Sequence, residues 1–387
     1  MTPAPRLAFY APLKPPNHGN PSGDRLIAQR LMHTLGLAGF EVILASQFRS
    51  YDRTGDARRQ ARIRQLGEQL AQRLIRRYLQ LPASQRPQIW FTYHLYHKAP
   101  DWIGPIVADA LSIPYIIAEA SYAGKQAGGR WDLGFNASRE AIQRADLIVS
   151  LNPCDEGGIH DAREEAPLAY LPPYLDTSLE SAPLAEREPT RLQLSQQFNL
   201  DPDLPWLIAV GMMRPGDKET SYKLLAQSLQ LCQQQNRQVI LVGDGRAEAA
   251  IRQAFAEIPG VCMTGRLASD TLIPLLQASD LMVWPAVNEA FGMALLEAQA
   301  AGIWVVAGNE GGVSSVVSES NSGTLVPPRD PGALARAIDQ LLERPEQLAI
   351  LGEKARNWCQ AHHSENQAEA NLRDLLLPLV KPSLQTD

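Results

Sequence analysis

The residue pattern predicts an α/β protein made of two Rossmann-like, doubly wound domains facing a cleft, and three observations lead there. Length is the first: 387 residues, at roughly 150 per domain, fill two or three separate cores. The second is a series of short, fully apolar runs that alternate with helical patterns almost from end to end, the signature of parallel sheets covered by helices. Third, a stretch from Pro172-Pro173 to about Pro189, rich in Pro, Ser and Glu, parts two such series and reads as a linker.

In the first series, strands are expected at 7–10, 41–45, 88–93, 115–118, 146–151 and 168–171. The second repeats the theme at 206–212, 239–242, 261–264, 281–284, 304–307 and 324–326, each run followed by Gly, Pro or polar turn residues. Helical patterns in this half fall at 221–235, 247–255, 269–278, 291–301, 331–342 and 347–361, and a last apolar-periodic segment at 367–376 lies beyond the second sheet. The expected division is a first domain over 1–175, a linker over 176–190, a second domain over 191–361 and a helical tail over 362–387. Doubly wound sheets bind ligands at the carboxyl ends of their strands. Functional residues are therefore expected in the turns just after strands.

Composition narrows the function. The chain is 45% hydrophobic and 20% charged, ordinary globular usage that excludes disordered and collagenous classes. No apolar run reaches the ~18 residues of a membrane span, and the opening residues lack the apolar stretch and cleavage site of a signal peptide. A cytoplasmic protein is expected. Cys154, Cys232, Cys262 and Cys359 lie far apart with no C-x-x-C or Cys/His cluster, so neither zinc nor a disulfide framework is signalled.

The net charge of −6 is uneven: 20 Lys/Arg meet 16 Asp/Glu in residues 1–175, against 16 and 26 beyond. Nine arginines fall between Arg49 and Arg77, alongside Asp52, Asp56 and Glu68. That stretch is suited to an anionic membrane surface or an anionic acceptor, or else forms a solvated helix face with local salt bridges. Nucleic acid is disfavoured as a partner by the negative total and by the lack of a basic stripe interleaved with aromatics.

The most informative segment is P-A-V-N-E-A-F-G-M-A-L-L-E-A-Q-A-A-G over 285–302. A strand ends at Pro285, a loop carries Glu289, and a helix is expected to begin near Phe291 with Gly292 in its first turn. The free N–H groups of Phe291, Gly292 and Met293 then make a cradle for an anion, which the helix dipole also favours. Glu297 would repel phosphate, but its carboxylate suits the paired hydroxyls of a ribose or a sugar ring. A second passage, Gly211-Met212-Met213-Arg214-Pro215-Gly216-Asp217-Lys218, places two cations in the loop beyond a strand. Together Arg214 and Lys218 can neutralise a diphosphate leaving group without a metal; singly, such cations more often form surface salt bridges.

In the first half, Gly19-Asn20-Pro21-Ser22-Gly23-Asp24 precedes an amphipathic helix, whose start at Ser22 and Gly23 can approach a diphosphate. His94 and His97 follow another strand and are placed to bond donor or acceptor hydroxyls, though a lone histidine is more often a satisfied polar residue.

The pattern P-x(3)-E-x-F-G-x(4)-E-A-x-A-x-G, with a strand-ending G-x-x-R-x(3)-K before it, resembles the retaining glycosyltransferases of family 4, which have the GT-B fold. Leu241-Val242-Gly243-Asp244-Gly245, Gly265-Arg266-Leu267 and Gly311-Gly312-Val313 fall in the same family's order. The resemblance implies that Glu297 holds the nucleotide ribose, that Arg214 and Lys218 hold the diphosphate, and that Glu289 and the backbone from Phe291 to Met293 meet the donor sugar and phosphate. It implies further that Gly243 lies in the donor site, that Arg266 and Leu267 border the base, that a glycine-rich loop after the first strand, here with Gly23, approaches the diphosphate, and that the last helical segment crosses back to the first domain. His94 joins Arg214, Lys218 and Glu289 as a catalytic candidate. Two departures stand out: many relatives carry a histidine after the strand at 115–118, where this chain has Glu119 and Ser121, and a glutamate common after the Gly-Gly pair is Ser315. Glu119, Ser121 and His97 are the acceptor-side candidates.

The reading that follows is a retaining transfer from a UDP- or GDP-linked sugar to a carbohydrate or lipid-linked hydroxyl in glycan, polysaccharide or glycolipid synthesis, with no metal or other cofactor. Peripheral contact with the inner membrane face accompanies it. A non-catalytic sugar-nucleotide binder of the same fold is the rival. A dinucleotide-dependent oxidoreductase fails, because neither opening strand is followed by G-x-G-x-x-G with an acid about 20 positions on.

Overall fold

A computed structural model describes residues 4–20, 22–176 and 187–380. The chain divides into two compact units, one running up to Leu171 and taking in the residues from Ala368 on, the other spanning Pro172–Gln367.

Among the described residues, the first unit holds a six-stranded sheet of β1 (Arg6–Tyr10), β2 (Glu41–Ser46), β3 (Ile89–Leu95), β4 (Tyr115–Ala120), β5 (Leu147–Ser150) and β6 (Leu168–Tyr170). The strands run parallel in the order β2-β1-β3-β4-β5-β6. Its helices are α1 (Gly23–Leu37), α2 (Ala57–Leu79), α3 (Gly104–Leu111), α4 (Asp132–Arg144) and α5 (Glu156–Ala162). Trp90, Tyr10, Tyr115, Phe9 and Phe91 are buried on the strands, which explains why those runs read as continuously apolar: a sheet covered on both faces has no polar side. Ser22 caps α1 by accepting from the Arg25 N–H, and Asp56 caps α2 by accepting from Arg59, each satisfying a donor the helix leaves open.

The second unit repeats the plan with β7 (Trp206–Val210), β8 (Gln238–Val242), β9 (Val261–Gly265), β10 (Leu281–Trp284), β11 (Trp304–Gly308) and β12 (Gly323–Val326), in the order β12-β11-β10-β7-β8-β9. Its strand pairings are parallel as well. Its helices are α6 (Arg187–Phe198), α7 (Asp217–Leu231), α8 (Glu248–Ala254), α9 (Ser269–Ala278), α10 (Met293–Ala300), α11 (Pro331–Leu342) and α12 (Leu348–His363), followed by α13 (Glu365–Leu376).

In each sheet the chain winds one way and then the other. The reversal lies between β1 and β3 in the first and between β7 and β10 in the second. Loops leaving a sheet at such a point diverge and open a crevice at the strand ends. That rule singles out the residues after β1 and β3, and those after β7 and β10.

Three expectations need correction. Of the linker expected over 176–190, residues 177–186 lie outside the described residues, but 187–190 are the first turn of α6. Arg187 anchors that turn, its guanidinium donating to the carbonyls of Gln277 and Ser279 and pairing with Asp280. Residues 172–175, expected in the first domain, group with the second unit, where the Leu175 N–H donates to His363 O. The helix expected from 221 begins four residues earlier at Asp217, because Gly216 at φ 97° turns the chain directly into it. Lys218 therefore sits in a helical turn, not in a loop.

Candidate functional site

At the reversal point of the second sheet, the loop after β10 is tied to the start of α7. Asn288 Nδ2 donates to Asp217 Oδ1 at 3.0 Å, and the Val287 N–H donates to Ser221 Oγ at 3.1 Å. Ala286 and Asn288 have φ of 58° and 47°, left-handed values that cost a non-glycine residue of the order of 1 kcal/mol or more and persist where surrounding bonds impose them. The Glu289 carbonyl accepts from the Gly312 N–H at 2.9 Å, and a Cβ on Gly311 would lie 2.1 Å from that carbonyl. Glycine is required there by the close approach. The result presents Glu289 half-buried, with its Oε2 2.5 Å from Lys218 Nζ and 3.1 Å from Trp284 Nε1.

Helix α10 begins at Met293, and Gly292 precedes it at φ 77°. Gly292 is thus the left-handed residue before the helix and not part of its first turn as expected, since Leu295 N–H already closes onto Gly292 O. The open N–H groups of the helix start remain at the carboxyl end of β10, where an anion is favoured. Phe291 is buried, and Glu297 lies half-buried one turn after Met293. Arg214 is exposed, with no hydrogen-bond or ion-pair partner for its guanidinium among the described residues. The structure thus brings Lys218 and Glu289 into contact and leaves Arg214 open in the neighbouring loop.

Gly243 follows β8 at φ 143°, and a Cβ there would lie 1.9 Å from Gly211 O. Its N–H donates to Gly265 O at 2.9 Å, so the loops after β7, β8 and β9 are bonded in series. Arg266, exposed, and Leu267, packed on the core, follow β9. Ser315 Oγ donates to Gly312 O at 2.5 Å, an internal turn bond.

The first unit carries a different chemistry at its own reversal point. His94 on β3 and Glu119 on β4 have φ of 60° and 59°, and His94 Nδ1 stands 3.2 Å from Asp24 Oδ1 and 3.7 Å from Glu119 Oε1. Burial alone would push the imidazole down, but Glu119 and then Asp24 outweigh it and hold His94 above its usual 6.5. Burial pushes Glu119 up against the pull of His94, while the bond to His94 holds Asp24 below the usual carboxylate range. Ser121 Oγ donates to Asp155 Oδ1 at 2.9 Å, and the field of Asp155 also favours protonated His94. Ser121 thus holds the Asp155 carboxylate, and Glu119 falls beside His94. His97 does not: it packs edge-on against Trp131 and Tyr96, with its basicity lowered by burial and by Lys98. Gly23 opens α1 with free space where a Cβ would stand, but Ser22 Oγ is already engaged as the helix cap.

Sequence reasoning missed Asp24, Asp155 and Trp284. Asp24 stands next to Gly23 at a helix start and carried a signal, whereas nothing in the spacing marks the other two. No group of three or more His, Cys, Asp or Glu suited to a metal occurs among the described residues.

Comparison with known proteins bears on this geometry. Residues 191–358 match the family described as Glycosyl transferases group 1. A D-inositol 3-phosphate glycosyltransferase of Catenulispora acidiphila is 32% identical over 171 residues, 41% of this chain and 40% of the relative. A GDP-mannose-dependent alpha-(1-6)-phosphatidylinositol monomannoside mannosyltransferase of Mycobacterium tuberculosis is 26% identical over 222 residues, 54% of this chain and 56% of the relative. The chain therefore spans roughly half the length of these curated relatives. The crystal structure of Anabaena HepE in complex with UDP superposes with a TM-score of 0.71 at 16% identity, covering 96% of this chain and 99% of that one. The fold is of the GT-B type.

Proposed function

We propose that this chain transfers a sugar from a UDP- or GDP-linked donor to a hydroxyl of a carbohydrate or lipid-linked acceptor, with retention of anomeric configuration and without a metal. The observation that carries the reading is the junction at the second sheet's reversal point, where Lys218 and Glu289 meet at 2.5 Å beside the start of α10. Arg214, Lys218 and the helix N–H groups stabilise the diphosphate as it departs, each good contact being worth roughly 3 kcal/mol in a dry site. Glu297 accepts from the ribose hydroxyls, and Arg266 and Leu267 border the base. The bond from the anomeric carbon to the leaving phosphate oxygen breaks as the acceptor oxygen bonds on the same face, and the acceptor proton passes to that phosphate oxygen. His94, Glu119 and Ser121 are assigned to hydroxyls of the sugar substrates. UDP in HepE and GDP-mannose for the mycobacterial relative support a nucleotide sugar as donor.

The test is a thermal-shift panel of UDP, GDP, ADP and their sugars, with and without EDTA, followed by NMR of the product anomer. A bound ligand at 100 times its Kd stabilises by about 2.7 kcal/mol. Stabilisation that survives EDTA, with a retained anomer, is the expected result. Binding without transfer to any acceptor indicates a non-catalytic binder, and no stabilisation by any member overturns the reading.

A peripheral membrane contact on the cytoplasmic side is proposed on a separate observation. On α2 the exposed Arg58, Arg62, Arg73, Arg76 and Arg77 accompany an exposed Leu66, and the helix's one acid, Glu68, is engaged by Arg64. Each arginine near an anionic leaflet is worth about 1 kcal/mol. No helix among the described residues is long and apolar enough to cross a membrane, so the contact rests on charge. Sedimentation with phosphatidylserine vesicles but not with phosphatidylcholine vesicles, reversed by salt, is expected; equal behaviour with both removes the proposal.

A further inference from the structure

We infer that Trp284 is a positioning residue that fixes the carboxylate of Glu289, an inference that rests on the donor-site reading above. Trp284 is the last residue of β10 and is buried. Its Nε1 donates to Glu289 Oε2 at 3.1 Å, the same oxygen that receives Lys218 Nζ at 2.5 Å. The Lys218 ammonium also lies 5.1 Å from the centroid of the indole ring, within the range of a cation–π contact. One indole thus touches both members of the ion pair.

The indole is itself held from behind. Tyr222 packs edge-on against it with centroids 5.0 Å apart, and the Tyr222 hydroxyl donates to Gly211 O at 2.8 Å. A Cβ on Gly211 would come within 3.2 Å of the Trp284 ring, so the loop after β7 closes over the ring and limits its rotation. The left-handed residues Ala286 and Asn288 set the path of the Glu289 backbone, but the backbone leaves a glutamate side chain several rotamers. The indole N–H selects among them.

The consequence emerges when a phosphate competes for Lys218. The ammonium then divides its attraction between the ligand and Glu289, and the ion pair no longer suffices to hold the carboxylate. Trp284 Nε1 keeps its bond to Oε2, so the Glu289 carboxylate stays oriented while Lys218 engages the diphosphate. The bonds from Lys218 and from Trp284 both go to Oε2. Oε1 is the oxygen left for a sugar hydroxyl.

The test is a double-mutant cycle on the full chain with Trp284→Phe and Glu289→Ala, read by steady-state transfer kinetics, nucleotide binding and thermal unfolding. Phenylalanine keeps an aromatic ring against Tyr222 and removes the donor. Loss of one hydrogen bond to a charged group predicts a fall in kcat of roughly 10- to 100-fold, with the Kd for UDP or GDP changed less than threefold. In the Glu289→Ala background, Trp284→Phe should add little further, because its route of action is already gone. Unchanged kcat in Trp284→Phe, or losses that multiply in the double variant, overturns the inference while the donor site stands. A parallel loss of kcat and nucleotide binding also overturns it, as that pattern marks a merely structural ring. A wild-type chain that neither binds nor turns over any sugar nucleotide overturns the donor-site reading, and this inference falls with it.

Discussion

His94 and Glu119 occupy adjacent strands of the first sheet, both in left-handed backbone, with Nδ1 and Oε1 3.7 Å apart. Two side chains at the ends of ordinary extended strands alternate between opposite faces of a sheet. The twist to positive φ re-aims both, and it places an imidazole and a carboxylate where hydroxyl groups can bridge them. Burial opposes a proton on His94, but Glu119 and Asp24 outweigh it and favour the charged imidazole.

Stability should depend on pH through this cluster. Because the folded His94 value lies above its usual 6.5, the stabilisation is complete below about 6.5 and is lost as pH rises through the raised folded value. Unfolding curves of the wild type and His94→Gln should therefore lie furthest apart at pH 6 and draw together as the pH is raised towards 9. Parallel curves across that range contradict the assignment. Asp24, held low by His94, contributes in the opposite sense, its share being present above about 4 and lost on further acidification.

Arg214→Ala should reduce turnover on the order of 100-fold, the effect of deleting one charged contact to the leaving group. Since Arg214 is exposed and its guanidinium makes no hydrogen bond or ion pair among the described residues, the variant's melting temperature should stay within a degree or so of wild type. A large drop in stability with the drop in rate points to a structural role instead.

Glu297→Gln should weaken ribonucleoside diphosphates by roughly 10- to 100-fold, as a charged acceptor of two hydroxyls becomes neutral. Calorimetry with the dideoxy analogue provides the control. The substitution should barely affect an analogue that lacks both hydroxyls, and equal losses for the two ligands refute a ribose contact.

Gly243→Ala should destabilise the second unit by about 1–3 kcal/mol or more. The added methyl would stand 1.9 Å from Gly211 O at a backbone φ of 143°, so both space and conformation oppose it. Thermal unfolding measures the cost. Gly216→Ala makes a useful contrast, because its Cβ direction is open and its penalty is conformational alone.

The strands were legible because buried parallel strands are continuous apolar runs, and 281–284 and the helix at 331–342 coincide with β10 and α11. The motif around Glu289 was legible because a turn after a strand must carry polar and glycine residues. Helix starts were less so. Gly216 shifts α7 forward to include Lys218, and Gly292 delays α10, since either glycine can end a loop or enter a helix until its φ is fixed by neighbours. His94 and His97 show the same limit: three residues apart in sequence, one meets Asp24 and Glu119 while the other meets Trp131.

By itself, the sequence determined two parallel sheets, the loops that follow their strands, and which cations, carboxylates and glycines those loops carry. Periodicity and residue chemistry are local properties, and they need no knowledge of distant neighbours. Only the tertiary structure decided that Trp284 and Lys218 share one oxygen of Glu289, and that Asp24 faces His94. Those pairings depend on strand order and on left-handed turns, which arise when segments far apart in the chain pack together and impose each other's backbone.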